Sequence, residues 1–184
     1  KNAYSAFMGG YSQFTGIATI IMMLVGSNFL RKFGWRASAL LTPGLLLLTG
    51  IPFFLFILFK SEMTGFCLEY FNSSPVEIAV WMGAFLTIFV KSAKYALFDP
   101  TKEMAYLPLD DEGRSKGKAA VDVVGGRAGK SSGAAIQQAL MAGLGVELSG
   151  ITTHLGLIIV IVGLLWLMSA GSLHKSIQVL SKKQ

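Results

Sequence analysis

The sequence predicts an all-α, polytopic membrane protein with five transmembrane helices. Of its 184 residues, 53% are hydrophobic and only 14% charged, where a soluble domain carries about a quarter charged. The apolar residues fall into blocks, each long enough for a helix of ~20 residues to cross a bilayer. Lipid admits only helices and closed barrels, and these runs do not alternate as barrel strands do. The expected spans cover about 6–30, 38–59, 75–98, 118–144 and 150–171.

The first span opens Tyr4-Ser5-Ala6-Phe7-Met8-Gly9-Gly10-Tyr11-Ser12-Gln13-Phe14-Thr15-Gly16 and is plain hydrocarbon from Ile17 to Val25. Gly9, Ser12 and Gly16 recur at helical spacing, which permits close approach of a neighbouring helix. Tyr4, Tyr11 and Gln13 are alternatively available to a substrate. A basic loop with Arg31, Lys32 and Arg36 follows. The second span, rich in Leu and Phe, holds Pro43 and Pro52 as kink sites and reads as an outer, lipid-facing helix. A connector with the single Cys67 leads to the third span, whose first residue, Pro75, suits the first turn of a helix.

The third span ends in Lys91, Lys94, Tyr95 and Phe98. Lys91, Tyr95 and Phe98 share a face at i, i+4 and i+7, with Lys94 beside them. Cations flanked by aromatic rings suit a ligand that joins a base to phosphates; snorkelling to interfacial water is the structural alternative for both lysines. Asp99-Pro100 reads as a helix cap and first-turn proline, hence a break and a fresh start. Asp99, Lys102 and Glu103 then sit on a short charged helix suited to a gate latch. Pro108 to Gly117 reads as a polar surface loop.

The fourth span differs from the others. Asp122, Gly126, Lys130, Gly133 and Gln137 follow one another at spacings of four, four, three and four, and Arg127, Ser131 and Gln138 fall on the adjoining face. A polar stripe of this length in a spanning helix belongs against a cavity or a domain interface, and Asp122 is available to pair with a nearby cation. The fifth span, Leu155 to Leu167, is lipid-facing, and Ser176 to Gln184 reads as a frayed tail. Trp35, Trp81 and Trp166 fall near expected helix ends and read as interface anchors, with substrate stacking an alternative for Trp81.

Charge orders these spans. The side shared by the first loop, the third loop and the tail holds Arg31, Lys32, Arg36, Lys102, Arg114, Lys116, Lys118, Lys175, Lys182 and Lys183, ten of the sixteen Lys and Arg; the other holds Lys1 and Lys60. That asymmetry marks the first as the cytoplasmic or stroma-like side. It also accounts for the net charge of +6 without nucleic-acid binding. Lys91, Lys94, Arg127 and Lys130 remain inside spans. A cation at the bilayer centre costs roughly 2.5–3.5 kcal/mol on insertion scales, so such residues face a protected interior, and four of them suggest an anionic substrate. His154, His174 and Cys67 lack metal-ligand spacing, so no metal is expected. One cysteine excludes an intrachain disulfide. Gly125-Gly126-Arg127-Ala128-Gly129-Lys130-Ser131 misses a P-loop by one residue, Val124, and no strand precedes it. A soluble-type nucleoside triphosphatase is therefore not expected. The chain opens on Lys1-Asn2-Ala3 without a Met or a leader, and so reads as processed or as a segment of a longer protein.

Lys94-Tyr95-Ala96-Leu97-Phe98-Asp99-Pro100-Thr101-Lys102-Glu103-Met104-Ala105-Tyr106 and Lys116-Gly117-Lys118-Ala119-Ala120-Val121-Asp122-Val123-Val124 closely resemble the ATP/ADP antiporters of plastids and obligate intracellular bacteria. Gly129-Lys130-Ser131-Ser132-Gly133, Ile136-Gln137-Gln138, Tyr4-Ser5-Ala6-Phe7-Met8-Gly9 and Thr15-Gly16-Ile17-Ala18-Thr19 extend the match over most of the chain. The resemblance implies a major-facilitator-like fold of which residues 1–184 are the incomplete C-terminal half, helices eight to twelve. It implies ATP/ADP exchange by alternating access, without hydrolysis or a cofactor, ATP and ADP being substrates. Lys130 is the best-matching substrate-binding residue, with Lys118 its rival. Arg127 and Lys94 join it in neutralising phosphates, Asp122, Gln137 and Lys91 accompany them, and Tyr95 or Phe98 holds the base. The implied partners are adenine nucleotides, membrane lipid, the missing N-terminal half and a larger membrane assembly. The expected location is the plastid inner envelope, with the bacterial inner membrane as alternative. Two other functions stay open: a nucleotide importer of altered specificity, and a non-transporting structural or docking subunit.

Overall fold

The computed structural model describes residues 2–181, and every element in it is helical. Lys1, Lys182 and Lys183, counted above in the charge asymmetry, lie outside the described residues. Helix α1 spans Asn2–Leu58, 57 residues, or ~85 Å at 1.5 Å per residue, against a hydrocarbon core of ~30 Å. Gly34 (φ 76°, ψ −180°) divides it into two arms. That conformation is open essentially to glycine alone, so the basic loop expected at 31–37 is a one-residue hinge between helices. Pro43 and Pro52 lie inside the second arm without non-helical dihedrals around them.

Short α2 (Thr64–Phe71) occupies the expected connector and buries Cys67. Helix α3 (Pro75–Ala93) starts on a capping box: Ser74 Oγ accepts from the Glu77 N–H, and the Glu77 carboxylate accepts from the Ser74 N–H at 2.9 Å. These reciprocal bonds satisfy two of the orphan donors at a helix start. The helix does not break at Asp99-Pro100. A π-helical turn, Lys94–Phe98, leads directly into α4 (Asp99–Ala105), and Asp99 N–H bonds back to the Lys94 carbonyl. The widened turn accommodates the proline, whose missing N–H leaves a carbonyl free and whose ring crowds the preceding turn.

The expected polar loop is largely helix as well. Asp110 caps α5 (Asp111–Lys118) by accepting from the Gly113 N–H at 3.1 Å. A second π-helical turn, Ala119–Gly125, continues into α6 (Gly126–Leu144), which Gly145 closes in the left-handed conformation (φ 63°). A 3₁₀ turn, Leu148–Ile151, precedes α7 (Thr152–Ser181). The tail is not frayed over its described part, because Leu173, Ile177 and Leu180 give α7 an apolar side next to Trp35 and Tyr106.

Contacts fix the directions of these helices. The first arm of α1 runs parallel to α3: Phe7 meets Trp81 edge to face, Thr19 Oγ1 lies 3.2 Å from Ser92 Oγ, and Gly26 sits against Ala96. The second arm runs antiparallel to both α3 and α7. Thr42 lies at Ala93 and Phe53 at Gly83; Leu47 lies at Gly163 and Phe54 at Gly156. The second arm is thus the central helix of the described assembly and not an outer one. Its small buried face, Ser38, Ala39, Thr42 and Gly50, lets two neighbours approach. Gly9, Gly10 and Gly16, in contrast, face open space, and the close crossing of the first arm is at Gly26. Three helical stretches, 4–58, 75–105 and 148–180, are long and apolar enough to span a membrane. Residues 118–144, with Asp122, Arg127 and Lys130, are too polar to join them on composition.

Candidate functional site

The π-helical turn at Lys94–Phe98 marks where α3 changes character. Ser92, Ala93, Ala96 and Leu97 are buried against α1, while Lys91, Lys94 and Tyr95 remain exposed on the open face. Lys91 Nζ lies 5.1 Å from the centroid of the Tyr11 ring. Lys94 Nζ lies 4.5 Å from the Tyr95 ring centroid and 3.0 Å from Asp99 Oδ2. Phe98, expected beside them, turns to the other side and packs edge to face on Trp166, 5.1 Å between centroids. The π-turn shifts the register, so Phe98 belongs to the α7 contact and not to the open face.

From Lys94 a chain of alternating charge crosses the α4–α5 hairpin. Asp99 lies 3.9 Å from Lys102, and Lys102 bonds Asp122 at 2.7 Å; beside them Glu103 pairs with Lys118. Asp122 sits in the second π-helical turn, so a widened turn on each helix supplies one end of this chain. Three cations meet three carboxylates here, which leaves this network electrically neutral. Tyr106 is buried under it with Lys118 Nζ 5.9 Å from its ring centroid. Burial, and secondarily the Asp122 charge, pushes the Tyr106 hydroxyl above its ordinary value.

The other cations lack such partners. Among the described residues, Lys91, Arg127 and Lys130 have no carboxylate within ion-pair distance. Arg127 and Lys130 are exposed on α6, Gln137 is half-buried farther along, and no described helix packs along the length of α6. The structure therefore sorts the predicted site residues into two sets. Lys94, Asp99, Lys102, Glu103, Lys118 and Asp122 are joined in the hairpin, whereas Lys91, Arg127 and Lys130 stand free.

Toward the opposite end of the first arm and α3, a cleft of about 770 Å³ runs along the two helices, with Phe7 and Trp81 in contact across it. Phe7, Tyr11 and Phe14 line one wall, and Trp81, Phe85 and Phe89 the other. Trp81 is 66% exposed and Phe85 56%. The sequence carried the signal for this cleft, since each trio recurs at i, i+3 or i+4 spacing. The other two tryptophans also tie helices together. Trp35 Nε1 donates to the Thr101 carbonyl at 2.7 Å and its ring stacks on His174, while Trp166 meets Phe98.

The TLC ATP/ADP transporter profile matches residues 1–177. The chain belongs to that family. ADP,ATP carrier protein 1 of Chlamydia pneumoniae is 49% identical over 175 residues, covering 95% of this chain and 34% of the relative. The plastidic ATP/ADP-transporter of Solanum tuberosum is 49% identical over 172 residues, covering 94% and 27%. ADP,ATP carrier protein 1 of Rickettsia prowazekii is 41% identical over 184 residues, covering 100% and 37%. The chain thus spans about a third of the length of the curated TLC relatives it matches. Those relatives come from plastids and from bacteria alike, and with the long apolar helices they mark an integral membrane protein. No solved structure matches the chain.

Proposed function

We propose that this chain is the C-terminal portion of a two-part carrier that exchanges ATP for ADP by alternating access, without hydrolysis. The observation that carries the reading is the set of cations within the expected spans that have no carboxylate partner among the described residues, Lys91, Arg127 and Lys130, beside a network in which Lys94, Lys102 and Lys118 are each paired. Bare cations in a spanning region need an anion, and a polyphosphate supplies several charges at once. Lys130 and Arg127 take the phosphates, with Lys91 and Lys94 on the facing side. Glu103–Lys118 and Lys102–Asp122 act as the latch that holds the hairpin at one membrane face.

In this reading the chain crosses the membrane five times, in a major-facilitator-like arrangement of helices eight to twelve. The two arms of α1, α3–α4, α5–α6 and α7 are those crossings, and the alternating directions of the packed helices support that count. The open sides of α6 face the remainder of the carrier. Exchange is obligatory because an empty carrier exposes uncompensated cations as it reorients, while either nucleotide covers them. Lys130→Gln in the full-length protein is expected to reduce labelled ATP uptake at least tenfold at unchanged membrane abundance. Near-normal exchange would sink the assignment.

A further inference from the structure

Lys91 and Lys94 both stand exposed on α3 and its π-helical turn, yet Lys91 has no carboxylate among the described residues and Lys94 holds one, Asp99. The geometry points to Asp99 as a positioning residue that covers Lys94 in the empty carrier and competes for it with the nucleotide phosphates. This inference rests on the nucleotide-exchange reading and deepens it at one cation.

Three observations support it. First, the pair is made by the π-helical turn. Side chains five residues apart do not face each other on a regular α-helix, where neighbours lie at i+3 and i+4. The wider turn at Lys94–Phe98 brings Asp99 round, with its N–H bonded back to the Lys94 carbonyl. Lys94 Nζ then lies 3.0 Å from Oδ2 and 3.3 Å from Oδ1. Two anionic oxygens on one ammonium are contacts that a phosphate also makes. The two side chains are 48% and 32% exposed, so an incoming anion has access to them.

Second, the register of the hairpin sets Lys94 against the cations of α6. Lys102–Asp122, Glu103–Lys118 and the Tyr106 ring against Gly117 and Lys118 tie the two limbs together in antiparallel order. Lys94 precedes Lys102 by eight residues, and Lys130 follows Asp122 by eight. Continued along both helices, this register sets Lys94 level with Arg127 and Lys130, where no described helix packs along α6. A polyphosphate that meets Arg127 and Lys130 at that level has Lys94 as its next cation.

Third, Asp99 has a second partner to fall back on. Lys102 Nζ lies 3.9 Å from Asp99 Oδ1 while bonding Asp122. A phosphate that takes Lys94 therefore leaves no carboxylate unpaired, which would be the costly outcome. The exchange is of two anions for one lysine. Asp99 weakens nucleotide binding by the worth of the pair that must break, and weaker holding speeds release.

The test uses the full-length protein. The ATP dissociation constant is measured on the purified carrier, and the maximal ATP/ADP exchange rate in vesicles, each per folded carrier. Asp99→Asn is expected to tighten ATP binding about twofold to fivefold, the range for an ion pair with this access to solvent. It is also expected to slow maximal exchange, because release becomes slower. Asp99→Glu keeps the charge and is expected to bind ATP like the parent. Lys94→Gln is expected to weaken ATP binding, and adding Asp99→Asn to it should move the dissociation constant no further, because the competition needs both groups. Asp99→Ser makes the same measurement should Asp99→Asn fail to fold. Unchanged or weaker ATP binding in Asp99→Asn overturns the inference. So does equal tightening with and without Lys94, which identifies a long-range charge effect or a shifted gate. These outcomes leave the exchange reading intact; absence of nucleotide exchange by the parent protein is what would overturn that reading instead.

Discussion

The second arm of α1 and helix α6 both depend on small residues, and they use them in opposite ways. In the α1 arm, Ser38, Ala39, Thr42 and Gly50 are buried, and the glycines facing the arm sit on its large side chains: Gly83 on Phe53, Gly156 on Phe54, Gly163 on Leu47. Each of these named residues is covered by a neighbour, although Gly44 on the same arm meets nothing within 4 Å. On α6, Gly126, Gly129 and Gly133 meet nothing within 4 Å, and between them stand Arg127 and Lys130 without carboxylates. The same residue type that holds the α1 arm in place leaves α6 accessible. Where small residues are covered they serve packing; where they flank bare cations they serve what those cations bind.

The largest effect that sharpens this contrast is expected on α6. A hydrogen bond to a charged group contributes ~1.5–3 kcal/mol, or roughly tenfold to a hundredfold in affinity. Replacing both Arg127 and Lys130 with Gln in the full-length carrier should therefore reduce ATP uptake by about a hundredfold or more. Thermal stability in detergent should stay within about 0.5 kcal/mol, as for a surface change away from packing. A large stability loss would mean that α6 is a packed helix like the α1 arm.

The converse holds at Gly26, on the first arm of α1. A Cβ there would meet the Ala96 carbonyl oxygen at 3.0 Å, and backbone cannot yield as a side-chain tip does. Gly26→Leu is expected to destabilise the carrier by about 1–3 kcal/mol or more, read as a lower melting temperature and lower membrane abundance. Gly129→Leu, in open space among the described residues, should leave both unchanged while disturbing uptake. Equal stability losses at the two positions would break the comparison.

The helical, membrane-spanning class was legible because hydrophobic blocks report burial in lipid directly. Polar segments were harder to place. Residues 31–37 and 108–117 looked like loops, and Asp99-Pro100 like a break before a short helix, because charge, proline and glycine usually mark breaks. Yet Gly34 alone makes the first turn, a π-turn absorbs Pro100, and Asp110 caps a helix within 108–117. The site was partly legible for a related reason. The cation list came from composition, but which cation has a partner depends on register. The two π-turns reset that register, bringing Asp122 to Lys102 and sending Phe98 to Trp166. The aromatic trios around the cleft were visible as periodic stripes, though nothing in either stripe alone said that they faced each other.

A smaller effect is expected at Trp35, which ties the Gly34 hinge to α4. Trp35→Phe keeps a ring against His174 but removes the donor to the Thr101 carbonyl. The expected loss is about 1 kcal/mol, measured as a lowered melting temperature with ATP affinity unchanged. A change in affinity would place this end of the α1 arm in the site and erase the division between packing and binding regions.

The smallest effect is expected at the ion-pair network of the hairpin, where the contrast with α6 is most open to refutation. Lys102 is 21% exposed and Asp122 35%, and ion pairs with such access to solvent are typically worth up to ~1 kcal/mol. A double-mutant cycle with Lys102→Met and Asp122→Asn isolates their coupling. Either single change leaves the remaining member with other charges nearby, Asp99 for Lys102 and Lys118 in the adjoining turn for Asp122. Exchange is therefore expected to change only a few-fold, through the rate of reorientation rather than ATP affinity, and the double variant should lie close to the singles. If Asp122→Asn alone abolished uptake as thoroughly as Lys130→Gln, the hairpin carboxylate would belong to the binding machinery. Paired and free cations would then form one site, with Asp122 handing its partner to the phosphate.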